Sequence, residues 1–110
     1  MKMYLNTAGE VCELRLNKEV YFFEDKMHLA EKIFSFIEEK LTDCGANWQD
    51  ITEIEFFTGP GSFTGLRIGA AVVNAVADCL GIPILDQNGR QHKIVLPDYG
   101  RPARISTPRK

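Results

Sequence analysis

The sequence is poor in the residues that usually announce chemistry. Its 110 residues hold three cysteines and two histidines. Cys12, Cys44 and Cys79 are odd in number and far apart. That spacing excludes a disulfide framework or a zinc pattern and points to a reducing cytosol. Three small, buried apolar side chains are the expectation. His28 and His92 stand alone, so no Ser-His-Asp or Cys-His set can be assembled. No apolar run in the sequence approaches the ~18 residues of a membrane-crossing helix, and no secretory signal pattern opens it. Trp48, the one tryptophan, is expected to lid a core.

What is present is ordinary for a globular chain: 45% hydrophobic, 25% charged, mean hydropathy −0.16. The length allows one domain with a modest core. Net charge is −2 but unevenly spread. Residues 1–89 carry seven basic and fourteen acidic side chains, residues 90–110 six and one. A basic tail on an acidic body suggests contact with phosphate or an acidic partner surface, or else a solvated terminus.

Apolar periodicity orders the elements. Residues 2–7 read as a strand. Cys12, Leu14 and Leu16 alternate with Glu13 and Arg15, a half-buried second strand. Glu19–Glu24 is a third, after a turn at Asn17-Lys18, so the three form an antiparallel meander. From Met27 to Asp43 the period lengthens, with Leu29, Ile33, Phe36, Ile37 and Leu41 on one stripe, and Gly45 is the expected left-handed cap. A fourth strand covers Glu53–Thr58, a second helix Leu66–Leu80 and a fifth strand residues 82–86. The order β-β-β-α-β-α-β predicts an α/β domain, a mixed five-stranded sheet with packed helices, over residues 1–89. His92–Leu96 reads as an edge strand or an arm. Pro97, Pro102 and Pro108 then favour an extended tail over 90–110. Apart from Arg67, Asn74 and Asp78, the second helix is apolar or small all round. One sheet covers only one side of it, so a partner chain on the other side is expected. Burial against the first helix is the alternative.

Between the fourth strand and that helix lies Thr58-Gly59-Pro60-Gly61-Ser62-Phe63-Thr64-Gly65-Leu66-Arg67. Gly59, Pro60 and Gly61 build a tight turn, and Ser62 or Thr64 can cap the helix. A helix N-terminus after glycines can also hold an anion. No Lys precedes the Ser/Thr, and the spacing is not G-x-G-x-x-G, so glycine spacing alone favours the capped turn over a phosphate site.

The full string is more specific than its glycines. Gly59–Gly69, running into Ala70–Ala77 and Leu80-Gly81-Ile82-Pro83, resembles the TsaB (YeaZ) family. These are the bacterial partners of TsaD in forming N6-threonylcarbamoyladenosine on tRNA. Met3–Thr7 and Pro97-Asp98-Tyr99-Gly100-Arg101-Pro102 are similar to other family segments. The resemblance implies a single ribonuclease H-like lobe of the actin–sugar kinase–Hsp70 superfamily, with the family's second lobe absent.

It also implies a cytoplasmic scaffold that binds TsaD, not an enzyme, with no cofactor and no metal. Where catalytic lobes of that superfamily carry an Asp, this chain has Asn6, which cannot act as a base. Asp25 and Asp86 are candidates of last resort. His28 aligns with a family histidine of no implied catalytic role. TsaD-type proteins hold metal through His-x-x-x-His, which does not occur here. The two helices imply a bundle with TsaD, whose contacts are assigned to Leu29, Ile33, Phe36, Leu66, Gly69, Val73 and Val76. Further expectations are a TsaE-like ATPase as a third member, a homodimer when alone, no membrane, and tRNA contact only indirect or through the tail. A small nucleotide-binding enzyme or peptidase using residues 59–65, and a tRNA-binding accessory protein, are the rival readings.

Overall fold

A computed structural model describes residues 1–97 of the chain, and its first strands follow from alternation alone. They are β1 (Lys2–Asn6), β2 (Cys12–Leu16) and β3 (Glu19–Phe23). Met3, Leu5, Cys12, Leu14 and Leu16 share one buried face, as a period of two requires. Asn17, at φ 56°, turns β2 into β3, a left-handed position that Asn tolerates. The sheet is completed by β4 (Glu53–Phe56), β5 (Ile84–Leu85) and β6 (Gln91–His92), in the order β3-β2-β1-β4-β5-β6. β4 lies parallel to β1, with Met3 opposite Ile54 and Leu5 opposite Phe56, and β5 lies parallel to β4. The other three pairings are antiparallel.

Two helices cover the apolar face. α1 (Leu29–Asp43) buries Leu29, Ile33, Phe36, Ile37 and Leu41. It starts two residues later than the periodicity suggests, because Lys26–His28 form a tighter 3-10 turn first. Gly45, at φ 72°, ends it as expected. α2 (Phe63–Leu80) lies over β1, β4 and β5. It starts three residues earlier than expected, because Ser62 is the cap: its Oγ accepts from the Gly65 N–H at 3.1 Å. The opposite sheet face is polar over β1, β2 and β4, and carries the exposed Val20 and Phe22 on β3. Lys2 pairs with Glu55 at 2.9 Å, Arg15 pairs with Glu13, and Arg15 lies over the Tyr4 ring.

Three expectations need correction. The sheet has six strands, not five. β6 falls inside the segment assigned to the tail, so the boundary at residue 89 is too early. Val95 is buried too, held by two bonds from Asn74: its N–H donates to Asn74 Oδ1 at 2.9 Å and its carbonyl accepts from Nδ2 at 3.2 Å. The extended path expected for the rest of the tail, with Tyr99, Arg101, Pro102 and Pro108, falls outside the described residues. Last, α2 is in fact long and apolar enough to cross a membrane, with mean hydropathy 1.3 over 18 residues. One side of it packs against β1, β4 and β5, and 44% of the stretch is buried.

Candidate partner-binding site

The glycine-rich loop is built for close packing. A Cβ at Gly61 would collide with Ala8, one at Gly65 with the Thr7 carbonyl and Lys26 Nζ, and one at Gly69 with the Thr7 hydroxyl and the Phe56 ring. Gly65 and Gly69 therefore let α2 approach β1 and β4 of its own chain. The Ser62 N–H donates to the Ala8 carbonyl at 3.0 Å, and the Leu66 N–H donates to the Ser62 carbonyl. Gln87 ties the loop to the far end of the sheet. Its Oε1 accepts from the Thr58 N–H and hydroxyl, and its Nε2 donates to the Gly59 carbonyl, all within 3.1 Å. The first strand is tied in by Lys26, whose ammonium donates to the carbonyls of Thr7 and Gly9 at 2.9 and 2.7 Å. Pro60, Thr64 and Arg67 are exposed, as is Phe63 at 49%. At this helix N-terminus, then, the side-chain cap and the Lys26 ammonium are both committed within the chain.

The groups screened for chemistry are similarly engaged. Asn6 Oδ1 accepts from the Ala8 N–H at 2.9 Å and shapes the β1–β2 turn. His28 Nδ1 lies 2.7 Å from Asp25, and this hydrogen bond, above all, lowers the Asp25 pKa. Asp86 is only 8% exposed. It meets His92 Nε2 at 2.8 Å and accepts from the Asn88 and Arg90 N–H groups. The bond from His92 is the main reason its pKa is lowered. Asp86 thus organises the β5–β6 turn, and is not an idle loop residue. Of the cysteines, only Cys12 is fully buried, and burial pushes its thiol up to about 11. Cys44 lies 3.1 Å from the Tyr21 hydroxyl, whose pKa that contact pushes up to about 12. Cys79 is exposed.

The seven residues assigned to a partner interface are spent in this chain's own core. Leu29, Ile33, Leu66, Gly69 and Val73 are buried, and Phe36 and Val76 are no more than 9% exposed. The sheet covers one side of each helix and the helices cover each other's flanks, so the most apolar positions face inward. What remains outside is different in kind. Along α2 the outward arc reads Thr64, Ile68, Ala71, Ala75 and Cys79, with Ile68 half-buried and the rest exposed. Successive members are three or four residues apart, which makes them one stripe. Beside it, Phe34 of α1 is 47% exposed and meets Trp48 with ring centroids 6.2 Å apart. Phe34, Glu38, Trp48, Ala75, Cys79 and Leu80 line a groove of about 380 Å³ between the helices. Small side chains let another helix approach closely, and the aromatic pair forms one wall. The spacing of the stripe was visible in sequence. Its outward orientation was hidden because nearly every position around α2 is apolar.

A family model described as "TsaD: tRNA N6-adenosine threonylcarbamoyltransferase" matches residues 24–89. The tRNA threonylcarbamoyladenosine biosynthesis protein TsaB of Haemophilus influenzae is 29% identical over 89 residues, 74% of this chain. This chain spans only 36% of that relative's length. A tRNA N6-adenosine threonylcarbamoyltransferase of Ralstonia pickettii is 39% identical over 54 residues, 49% of this chain and 16% of its own. The solved structure of YeaZ from Pseudomonas aeruginosa superposes with a TM-score of 0.68 at 27% identity, covering 77% of this chain and 42% of its own.

Proposed function

This chain belongs to the tRNA N6-adenosine threonylcarbamoyltransferase (TsaD) family, on its TsaB (YeaZ) side, and from that premise we propose that it is a non-catalytic scaffold. It binds and stabilises a TsaD-like protein in the complex that forms N6-threonylcarbamoyladenosine on tRNA. The observation that carries this reading is the exposed small-residue stripe of α2 beside the Phe34–Trp48 groove. The transferase family model matches residues 24–89, which contain both α1 and α2, so a TsaD-like partner offers an equivalent helix pair. Two such pairs meeting face to face make a pseudo-twofold bundle of four helices. The sheet is read here as one ribonuclease H-like lobe. In this reading the transfer chemistry belongs to the TsaD-like protein, a TsaE-like ATPase joins the pair, and the assembly is cytoplasmic. Without its partner, the stripe pairs with that of a second copy.

The test uses outward residues, so that binding and folding separate. Ala75→Glu places a charge in the middle of the stripe, and Phe34→Lys removes the aromatic wall. Both variants should keep the wild-type circular dichroism and melting curve and lose co-purification with the cognate TsaD-like protein. Folded variants that co-purify as wild type does would put the interface elsewhere.

A further inference from the structure

We propose that the free edge of β3 is a self-association surface, on which β3 of a second copy of this chain pairs antiparallel in a register centred on Tyr21. The hydrogen-bond ladder shows which backbone groups are available. The Asn17 N–H donates to the Lys2 carbonyl at 2.9 Å, so Asn17, Arg15 and Glu13 turn their backbone groups toward β1. Leu16, Leu14 and Cys12 therefore turn theirs toward β3, where they stand opposite Glu19, Tyr21 and Phe23. The N–H and C=O groups of Val20 and Phe22 are left pointing out of the sheet. Their side chains lie on the face away from the helices, 46% and 56% exposed. An apolar edge of this kind is a template for another strand. The other edge, β6, is only two residues long.

The sequence of the edge argues for a second copy as the occupant. Pairing about a twofold axis at Tyr21 sets Val20 opposite Phe22 of the second copy, twice. It also sets Lys18 opposite Glu24 of the second copy, twice. Val20 and Phe22 present their backbone groups outward, so the hydrogen-bond parity is satisfied for these pairs, and Lys18 and Glu24 flank β3 at its two ends. Shifting the register by two residues either way breaks this match: one shift sets Lys18 opposite Phe22, the other sets Glu24 opposite Val20. Among the described residues, no ion pair within the chain engages Lys18 or Glu24. Opposed charges and apolar pairs are what stabilise facing strands. This edge lies apart from the α2 stripe, so the two surfaces can be occupied together.

A single strand pair falls at the small end of specific interfaces, under about 1,200 Å², so association is read at high concentration. The full chain carrying Ala75→Glu, which closes the helical stripe, is followed by sedimentation equilibrium. A monomer–dimer equilibrium is expected. Adding Lys18→Glu should weaken it roughly tenfold, and adding Glu24→Lys to that variant should restore it. Val20→Pro, which removes an outward N–H at a position on an edge strand, should abolish the dimer. Hydrogen exchange at the Val20 and Phe22 amides should slow as concentration rises. A chain that stays monomeric, a dimer indifferent to Lys18→Glu, or a loss that the charge swap does not restore would each overturn the proposal.

Discussion

At Gly69 there is no space for a single methyl group. A Cβ would overlap the Thr7 hydroxyl and the Phe56 ring, and neither can retreat, because both are fully buried. In an exposed helix Gly→Ala stabilises by up to about 1 kcal/mol. Here overpacking outweighs that gain, and Gly69→Ala should lower stability by about 1–3 kcal/mol in urea unfolding. The three thiols should separate under a maleimide reagent. Cys79 is exposed and should react first, whereas Cys12, buried with its thiol at about 11, should react only on unfolding. Equal rates for the two in native protein would contradict the packing. That Gly65 and Gly69 mark a close approach was legible in the sequence. Which surface approaches was not, because Thr7 and Phe56 come from two strands far apart in sequence, which pairing brings together at one end of β1 and β4.

Periodicity carries information in proportion to element length. The long helices and five-residue strands are readable because several positions vote for one face. β6 has two residues and no period. It forms because the Asp86 carboxylate gathers the Asn88 and Arg90 N–H groups and His92 into one turn. The pH dependence of this element follows from the lowered Asp86 pKa. The contribution is fully present above the ordinary carboxylate value, about 3.9, and is lost as pH falls through the lower folded value. Asp86→Asn should therefore melt earlier than wild type at pH 7, and the gap should shrink at pH 3. A gap that persists unchanged at pH 3 would assign the effect to shape instead of charge. For α2 the element-scale test is its cap: Ser62→Ala should cost about 1 kcal/mol, because the Gly65 N–H loses its acceptor.

The whole molecule divides into an apolar stripe on one helix and an uneven distribution of charge. Six of its thirteen basic side chains lie beyond residue 89, and the body before them is acidic. These two features answer differently to salt. In the proposed complex, burial of Ala71, Ala75 and the Phe34–Trp48 wall would be a hydrophobic contact that ordinary salt leaves nearly unchanged. Contacts to phosphate proposed for Arg101, Arg104, Arg109 and Lys110 would be screened and would release counterions, with a slope of about −0.9 for each phosphate neutralised on duplex nucleic acid. Removing residues 98–110 should leave the affinity for the TsaD-like protein within about twofold. The same deletion should weaken tRNA binding by the assembled complex and flatten its dependence on salt. Filter binding of tRNA from 50 to 300 mM salt, an order-of-magnitude working range, reads both quantities at once. If the deletion leaves the tRNA slope untouched but weakens the protein pair, the basic segment docks on the acidic surface of a protein. The stripe alone would then not account for the strength of the complex.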